Sequence, residues 1–297
     1  MRVETALRQG LDLLRDGAIG APALTAELLL AHALHRDRTY LLTHPEHELC
    51  ELEWLHYGRY LHERLNGKPT QYITRTQEFW GRDFRVEQGV LIPRPETEHV
   101  VEQALALLVP ARAGDAPVNQ RVDAADTGLS TTTRVLDIGA GSGILAVTLA
   151  LEAKARVCAT EISPDALRIA RANATRLGAQ VDFVQCDLGT AFDDASFDFV
   201  VSNPPYIASA EIDALQREVR EWEPRAALDG GPDGLAVFRH LIPDAARLLR
   251  PGGWLILEIG GTQGEPVPGL LGPGWRECSV TPDLAGLPRV VKAQWNP

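Results

Sequence analysis

From Arg134 onward, short apolar stretches and helical stretches take turns along the chain. Val135-Leu136-Asp137-Ile138 has the pattern of a buried strand. It runs into Gly139-Ala140-Gly141-Ser142-Gly143, and Ile144 to Ala150 then reads as a helix. The pattern predicts strand tips near Ile138, Thr160, Gln185, Ser202 and Ile259. It predicts helices over 142–153, 164–177, 211–219 and 234–249. Such alternation dictates an α/β fold with a parallel sheet, because parallel neighbours need a crossover connection and the helices that supply it cover both faces. Ligands of such sheets bind beyond the carboxyl ends of the strands. The segments 275–281 and 289–294 add two further strand candidates at the end of the chain.

The strand tips carry the chemistry. Gly139, Gly141 and Gly143 permit positive φ and close approach of a ligand to the backbone. Their spacing, G-x-G-x-G, departs from the G-x-G-x-x-G of dinucleotide sites. The second strand, Arg156 to Thr160, ends at Glu161, about 20 residues past the glycine turn, where nucleotide-binding α/β folds place the acid that reads ribose hydroxyls. The third, Val181 to Gln185, ends at Cys186-Asp187-Leu188. Asp187 can accept an N–H from an adenine amino group and Leu188 can pack on the ring; alone, Asp187 reads equally as a solvated strand-end carboxylate. The fourth, Phe197 to Ser202, ends in Asn203-Pro204-Pro205-Tyr206. This set suits a planar –NH2 group. Asn203 Oδ1 can accept one N–H, the Pro204 carbonyl the other, and Tyr206 can stack on the flat face.

These residues resemble the class I S-adenosylmethionine-dependent methyltransferases. Within them they resemble the PrmC/HemK family of protein-(glutamine-N5) methyltransferases acting on peptide chain release factors. The resemblance covers almost the whole chain. Besides Gly139–Gly143 and Asn203–Tyr206 it includes Val90-Leu91-Ile92-Pro93-Arg94-Pro95-Glu96-Thr97-Glu98, Val219 to Gly231 and Asp233-Gly234-Leu235. Leu257-Glu258-Ile259-Gly260, Gln263-Gly264, Asp283 to Gly286 and Arg289-Val290-Val291 belong to it too. It implies a seven-stranded Rossmann-like sheet with an antiparallel final strand. It also implies that S-adenosylmethionine is held by Gly139, Ala140, Gly141, Ser142, Gly143, Glu161, Asp187, Leu188 and Asn203. Catalysis would fall to Asn203, Pro204 and Tyr206, and a glutamine slot to Asn203, Pro204, Pro205 and Tyr206, with no metal. Asn-Pro-Pro-Tyr is shared with DNA adenine-N6 methyltransferases, which makes that activity the rival expectation.

Upstream of the sheet the organisation changes. Residues 1–66 read as a small helical domain, suited to substrate recognition. Val3, Leu7, Leu11 and Leu14 form one apolar face, Leu24, Leu28, Ala31 and Leu34 a second, and Leu49, Leu52, Leu55 and Tyr60 begin a third. His32, His35, His44, His47, His56 and His62 are scattered through it without a ligand geometry. Residues 67–95 read as a β-hairpin linker, with Tyr72-Ile73 and Phe79-Trp80 flanking a polar tip and Phe84-Arg85-Val86 alternating as a strand does. Residues 96–297 then form the methyltransferase domain, opened by a helix from Glu96 to Leu108. Within it, 110–133 lacks large apolar residues and reads as a flexible insertion.

Net charge bounds the partners. With 40 acidic against 29 basic residues the chain carries a formal −11, which opposes affinity for phosphate backbones. The expected partner is a protein, the release factor, with no direct nucleic acid and no membrane. Cys50, Cys158, Cys186 and Cys278 form no C-x-x-C pair and read as reduced thiols of a cytoplasmic protein. The first residues lack a signal-peptide pattern, and no stretch approaches the roughly 18 apolar residues of a membrane span.

Overall fold

A computed structural model of the chain describes residues 1–108 and 133–297. In chain order the helices are α1 (Val3–Asp16), α2 (Pro22–Leu34), α3 (Arg38–Thr43), α4 (Glu51–Leu65), α5 (Thr70–Thr74), α6 (Glu98–Leu108), α7 (Ile144–Glu152), α8 (Pro164–Leu177), α9 (Arg217–Trp222) and α10 (Ala236–Leu248). The strands are β1 (Thr76–Phe79), β2 (Arg82–Arg85), β3 (Thr133–Ile138), β4 (Ala155–Glu161), β5 (Val181–Gln185), β6 (Phe197–Ser202), β7 (Leu249–Glu258), β8 (Trp275–Pro282) and β9 (Pro288–Trp295). The chain divides into two compact units. One comprises Met1–Gln77, Val86–Gln88 and Leu215–Glu223; the other comprises Glu78–Arg85, Gly89–Ala214 and Pro224–Pro297. The insertion expected over 110–133 lies outside the described residues, save Thr133, which opens β3.

The first unit is a helical bundle whose core holds Leu14, Leu29, Leu30, Leu41 and Tyr57. Tyr57 lies so close to α1 that a Cβ at Gly10 would come within 1.9 Å of its hydroxyl, so this crossing requires glycine. The sequence placed Leu24 and Leu28 inward, yet both are exposed, and α2 buries Ala26, Leu29, Leu30 and Ala33 instead. Leu28-Leu29-Leu30 makes α2 apolar on all sides, so periodicity does not select its buried face. On α4, Leu52 and Leu55 are likewise turned out, 60% and 59% exposed, while Tyr57, Tyr60 and Leu61 point in. A salt bridge between the nearly buried Arg64 and Glu218 of α9 belongs to this unit as well.

The second unit is built on a seven-stranded sheet of order β5-β4-β3-β6-β7-β9-β8. Neighbours from β5 to β7 run parallel, and β9 is antiparallel to both β7 and β8. Side chains alternate between the faces. Val135, Val157, Val201 and Ile256 pack with α6 and α7 on one side. Leu136, Val200, Leu255 and Leu257 pack with Phe238, Leu241, Ile242 and Ala245 of α10 on the other. The strands end at Ile138, Glu161, Gln185, Ser202 and Glu258, at or beside the expected tips. Strand β3 is flanked by β4 and β6, so the order reverses there and opens a crevice at the strand ends.

Two local expectations need correction. The helix predicted over 211–219 is a 3-10 turn at Ile212–Ala214 followed by the separate helix α9. Ile212 is buried in the second unit while Leu215–Glu223 belong to the first. Tyr72 and Ile73 stand on α5 rather than on a strand. The hairpin is the tighter β1–β2 pair, turning at Trp80-Gly81 with φ of 53° and 66°. Positive φ at both central residues matches the right-handed twist of paired strands.

Candidate active site

The loop after β3 folds back over the tip of β4. Gly139 and Ala140 both donate to the Thr160 carbonyl at 2.9 Å, Gly141 donates to Glu161 Oε2 at 2.8 Å, and Gly143 closes on the Ala140 carbonyl at 2.7 Å. Gly139 and Gly141 sit at φ of 78° and 55°, and the side where a Cβ would stand is open at both. That open side faces a cavity of about 320 Å³, within the range of small-molecule sites.

The cavity gathers most of the residues singled out from the sequence. Gly139, Ala140, Gly141, Ser142, Glu161, Asp187, Leu188, Asn203, Pro204 and Pro205 all line it. Val90, Pro93 and Arg94 close it from the turn before α6, and Pro224, Ala226 and Ala227 from the segment after α9. Gly143 and Tyr206 stand outside the lining. Gly143 caps α7 at φ 85°, where a Cβ would come within 3.1 Å of Ala170 on α8, so it serves helix packing.

Glu161 is a brace for the loop. Its Oε2 takes the Gly141 N–H, and its Oε1 takes the Ser163 N–H at 2.8 Å, leaving one lone pair on each oxygen for a ligand hydroxyl. Asn173 on α8, fully buried, donates to the Ser142 carbonyl at 2.9 Å and pairs with the backbone of Arg85, tying the loop to the β2 edge. Leu188 holds φ 46°, an uncommon value for a bulky residue, which marks the tip beyond β5 as locally strained.

Asp137 escaped the sequence reading because it sits inside an apolar strand run. Its Oδ2 accepts from Ala146 N at 3.1 Å, while its buried Oδ1, at the cavity wall, has no protein partner. Burial pushes its carboxyl up to about 7, with Glu161 adding to the rise.

The partners of Ser202 and Asn203 come from remote segments. Ser202 donates to the Ile138 carbonyl at 2.6 Å and locks β6 to β3. Asn203 Nδ2 donates to the Thr97 hydroxyl oxygen at 3.1 Å. Thr97 is fully buried, and Glu258, at the end of β7, keeps a buried Oε2 with no hydrogen-bond partner. Tyr206 donates its hydroxyl to Glu258 Oε1 at 3.3 Å. Burial pushes Glu258 up to about 7, against the Arg289 charge and the Tyr206 hydrogen bond, which pull it down. Burial raises the Tyr206 hydroxyl too. Gln263 Nε2 donates to the carbonyls of Tyr206 at 3.0 Å and Gly234 at 3.1 Å, fixing the turn beyond Tyr206.

A larger open groove, about 800 Å³, lies between α8 and β5. None of the residues predicted for the site lines it, and Arg156 and Asp182 on its wall pair with each other at 2.9 Å.

Known proteins resemble this chain over nearly its whole length. Residues 5–74 match the PrmC N-terminal domain and residues 122–221 the Methyltransferase small domain. The release factor glutamine methyltransferase of Koribacter versatilis is 44% identical over 98% of both chains. The chain belongs to the release factor glutamine methyltransferase family. The relative of the same name in Moorella thermoacetica is 41% identical over 99% of this chain and 98% of its own. The N-terminal domain of human METTL16, solved in complex with SAH, shares the fold, with a TM-score of 0.50 and 18% identity over 73% of this chain and 77% of that one. The chain is therefore a methyltransferase of the class I fold. Thr97, Glu258 and Gln263 lie in segments that already resembled this family, but no spacing in the sequence says that Thr97 meets Asn203 or that Glu258 and Gln263 meet Tyr206.

Proposed function

We propose that this enzyme transfers a methyl group from S-adenosylmethionine to the side-chain amide nitrogen of glutamine, in the Gly-Gly-Gln motif of peptide chain release factors. One observation carries the reading: a single cavity is lined by the glycine cradle and Glu161 together with Asn203 and Pro204.

The residues fit the cofactor. The open faces of Gly139 and Gly141 leave room against the backbone, and the unpaired Asp137 Oδ1 suits the ammonium of an amino-acid moiety. Glu161 would take the ribose hydroxyls, and Asp187 and Leu188 the adenine. When bound, S-adenosylmethionine supplies a methyl group already activated on a sulfonium.

The chain's own contribution is position and electrostatics. A carboxamide nitrogen is a poor nucleophile because its lone pair is delocalised into the carbonyl. Asn203 Oδ1 accepts one of its N–H groups and the Pro204 carbonyl the other, and both bonds strengthen as the nitrogen gains positive charge. The ring of Tyr206, anchored through its hydroxyl on Glu258, backs the slot. The helical unit supplies docking for the protein substrate, with Leu52 and Leu55 as exposed apolar contacts.

Methyl transfer to purified release factor, with the modified residue mapped by mass spectrometry, tests the reading. Label on the glutamine of Gly-Gly-Gln supports it. Label on adenine of added DNA, with none on the protein, would establish the rival DNA adenine-N6 activity, which the charge of −11 opposes.

A further inference from the structure

Three histidines of the helical unit gather around one ring. Tyr60, buried on α4, has the His32 imidazole 5.1 Å from its centroid and the His56 imidazole at 6.1 Å, with the Arg59 guanidinium over its face at 5.1 Å. His35, just past the end of α2, stands 6.3 Å from His32. Arg75, just past the end of α5, acts on His32 as well. His35, Arg59 and Arg75 are exposed, and His32 and His56 are half-buried. Burial holds the His32 imidazole below its usual value, and the neighbours that lower it further, His35, Arg75, Arg59 and His56, are all basic. Arg59 reaches Glu63 at 3.6 Å. The His32, His35 and His56 rings and the Arg75 guanidinium have no hydrogen-bond or ion-pair partner among the described residues. A chain with 40 acidic and 29 basic residues thus sets five basic groups side by side with one acid at their rim. No group of three His, Cys, Asp or Glu among the described residues could hold a metal, so the imidazoles do not form a cation site.

We propose that this patch seats a carboxylate-bearing surface of the protein substrate, on the reading that the helical unit is where release factor docks. All five basic residues lie in the first compact unit. Guanidinium forks match carboxylate geometry, and a charged imidazole offers only N–H donors. Position on α4 adds a second argument. The exposed Leu52 and Leu55 stand one turn before His56 and Arg59, and residues four apart share a helix face. An apolar centre with a charged rim is the anatomy of a protein interface. A phosphate backbone would also satisfy the donors, but a long polyanion meets the whole charge of −11. A few carboxylates on a folded partner feel mainly the charges within about 8 Å at physiological ionic strength. Their arrival offsets the mutual repulsion of the five groups.

The test is kcat and KM for intact release factor and for a short Gly-Gly-Gln peptide, at about 50 mM and about 500 mM salt. A charge-reversed pair, His35→Asp with Arg75→Asp, is compared with a neutral pair, His35→Asn with Arg75→Asn. Both positions hold left-handed backbone, φ 51° and 61°, which Asp and Asn adopt readily. Cofactor calorimetry and a thermal melt are the folding controls. At the lower salt the charge-reversed pair should raise the KM for release factor about tenfold and the neutral pair about threefold, with kcat unchanged. At the higher salt both should come within about twofold of wild type. The KM for the peptide should not move. An unchanged KM for release factor in the charge-reversed pair overturns the proposal, and so does an equal rise on the peptide or a rise that salt does not reduce. A single-stranded RNA oligonucleotide that binds wild type but not the charge-reversed pair overturns it in favour of phosphate. If the charge-reversed pair fails its folding controls, the neutral pair decides. If wild type transfers no methyl to release factor, the reading of the function falls instead, and calorimetric binding of release factor to wild type and the charge-reversed pair decides the patch.

Discussion

The two ends of the cavity are built differently. The cofactor end is local: within residues 137–146, backbone N–H groups of Gly141 and Ala146 bind carboxylates, and those of Gly139, Ala140 and Gly143 bind carbonyls. The acceptor end is remote. Thr97, Asn203, Tyr206, Glu258 and Gln263 come from three stretches of chain: the Asn203 side chain meets Thr97, and Tyr206 meets Glu258 and Gln263. A cradle made of backbone tolerates changes that leave φ and the loop intact. A wall made of side-chain relays fails when one member is lost.

The largest effect should come from the remote end. Asn203→Ala should nearly abolish methyl transfer while cofactor affinity stays within about tenfold, roughly 1.4 kcal/mol. A comparable loss of cofactor binding in that variant would erase the distinction between the two ends.

Gly141→Val attacks the local end. The residue holds φ 55°, no protein atom lies within 4 Å of the added Cβ, and the new side chain enters the cavity. Cofactor binding by calorimetry should be lost. The left-handed backbone should lower stability by about 1–2 kcal/mol in a thermal melt, leaving the fold intact. Ordinary binding would mean that the loop is not the cradle.

Glu161→Ala comes next, because Glu161 joins the local end to the ligand. Losing the brace on Gly141 and Ser163 together with the ribose contact should weaken the cofactor by about 1–3 kcal/mol. A lower melting temperature without cofactor should accompany it, since the brace exists before binding.

Asp137 sharpens the comparison through pH. Its folded value is pushed up from 3.8 to about 7, so its contribution to stability is full below the unfolded value and lost as pH rises through the folded one. Asp137→Asn should therefore melt higher relative to wild type at pH 8 than at pH 5, and the gap should open between about 4 and 7. A gap independent of pH would show that Asp137 is not buried as an acid. The smallest effect belongs to neither end. Leu52→Asp with Leu55→Asp should raise the KM for intact release factor several-fold, roughly 1 kcal/mol, with unchanged turnover of a short Gly-Gly-Gln peptide.

The same contrast governs what could be read in advance. Strand tips and the glycine turn follow from short-range pattern, and they lie at or beside their expected places. Gly139 to Ser142, Glu161 and Asn203 converge because the parallel sheet brings strand ends together. Thr97 and Glu258 carried no such signal: a threonine after Pro95-Glu96 and a glutamate closing an apolar strand look ordinary until β7 is placed beside β6. The face of α2 was lost for a different reason, since consecutive leucines carry no period. Gly143 was grouped with its neighbours by spacing and resemblance, although a Cβ there would meet Ala170 of α8.

The short helix α9 bears on the order in which this protein is made. Residues 215–223 complete the helical unit, and Glu218 supplies the partner of Arg64. On a ribosome that delivers the chain from its N-terminus, the five leading helices emerge first but wait for this return segment, which follows β3 through β6. The helical unit is thus finished only after most of the parallel strands have left the exit tunnel, and until then Arg64 lacks its glutamate partner.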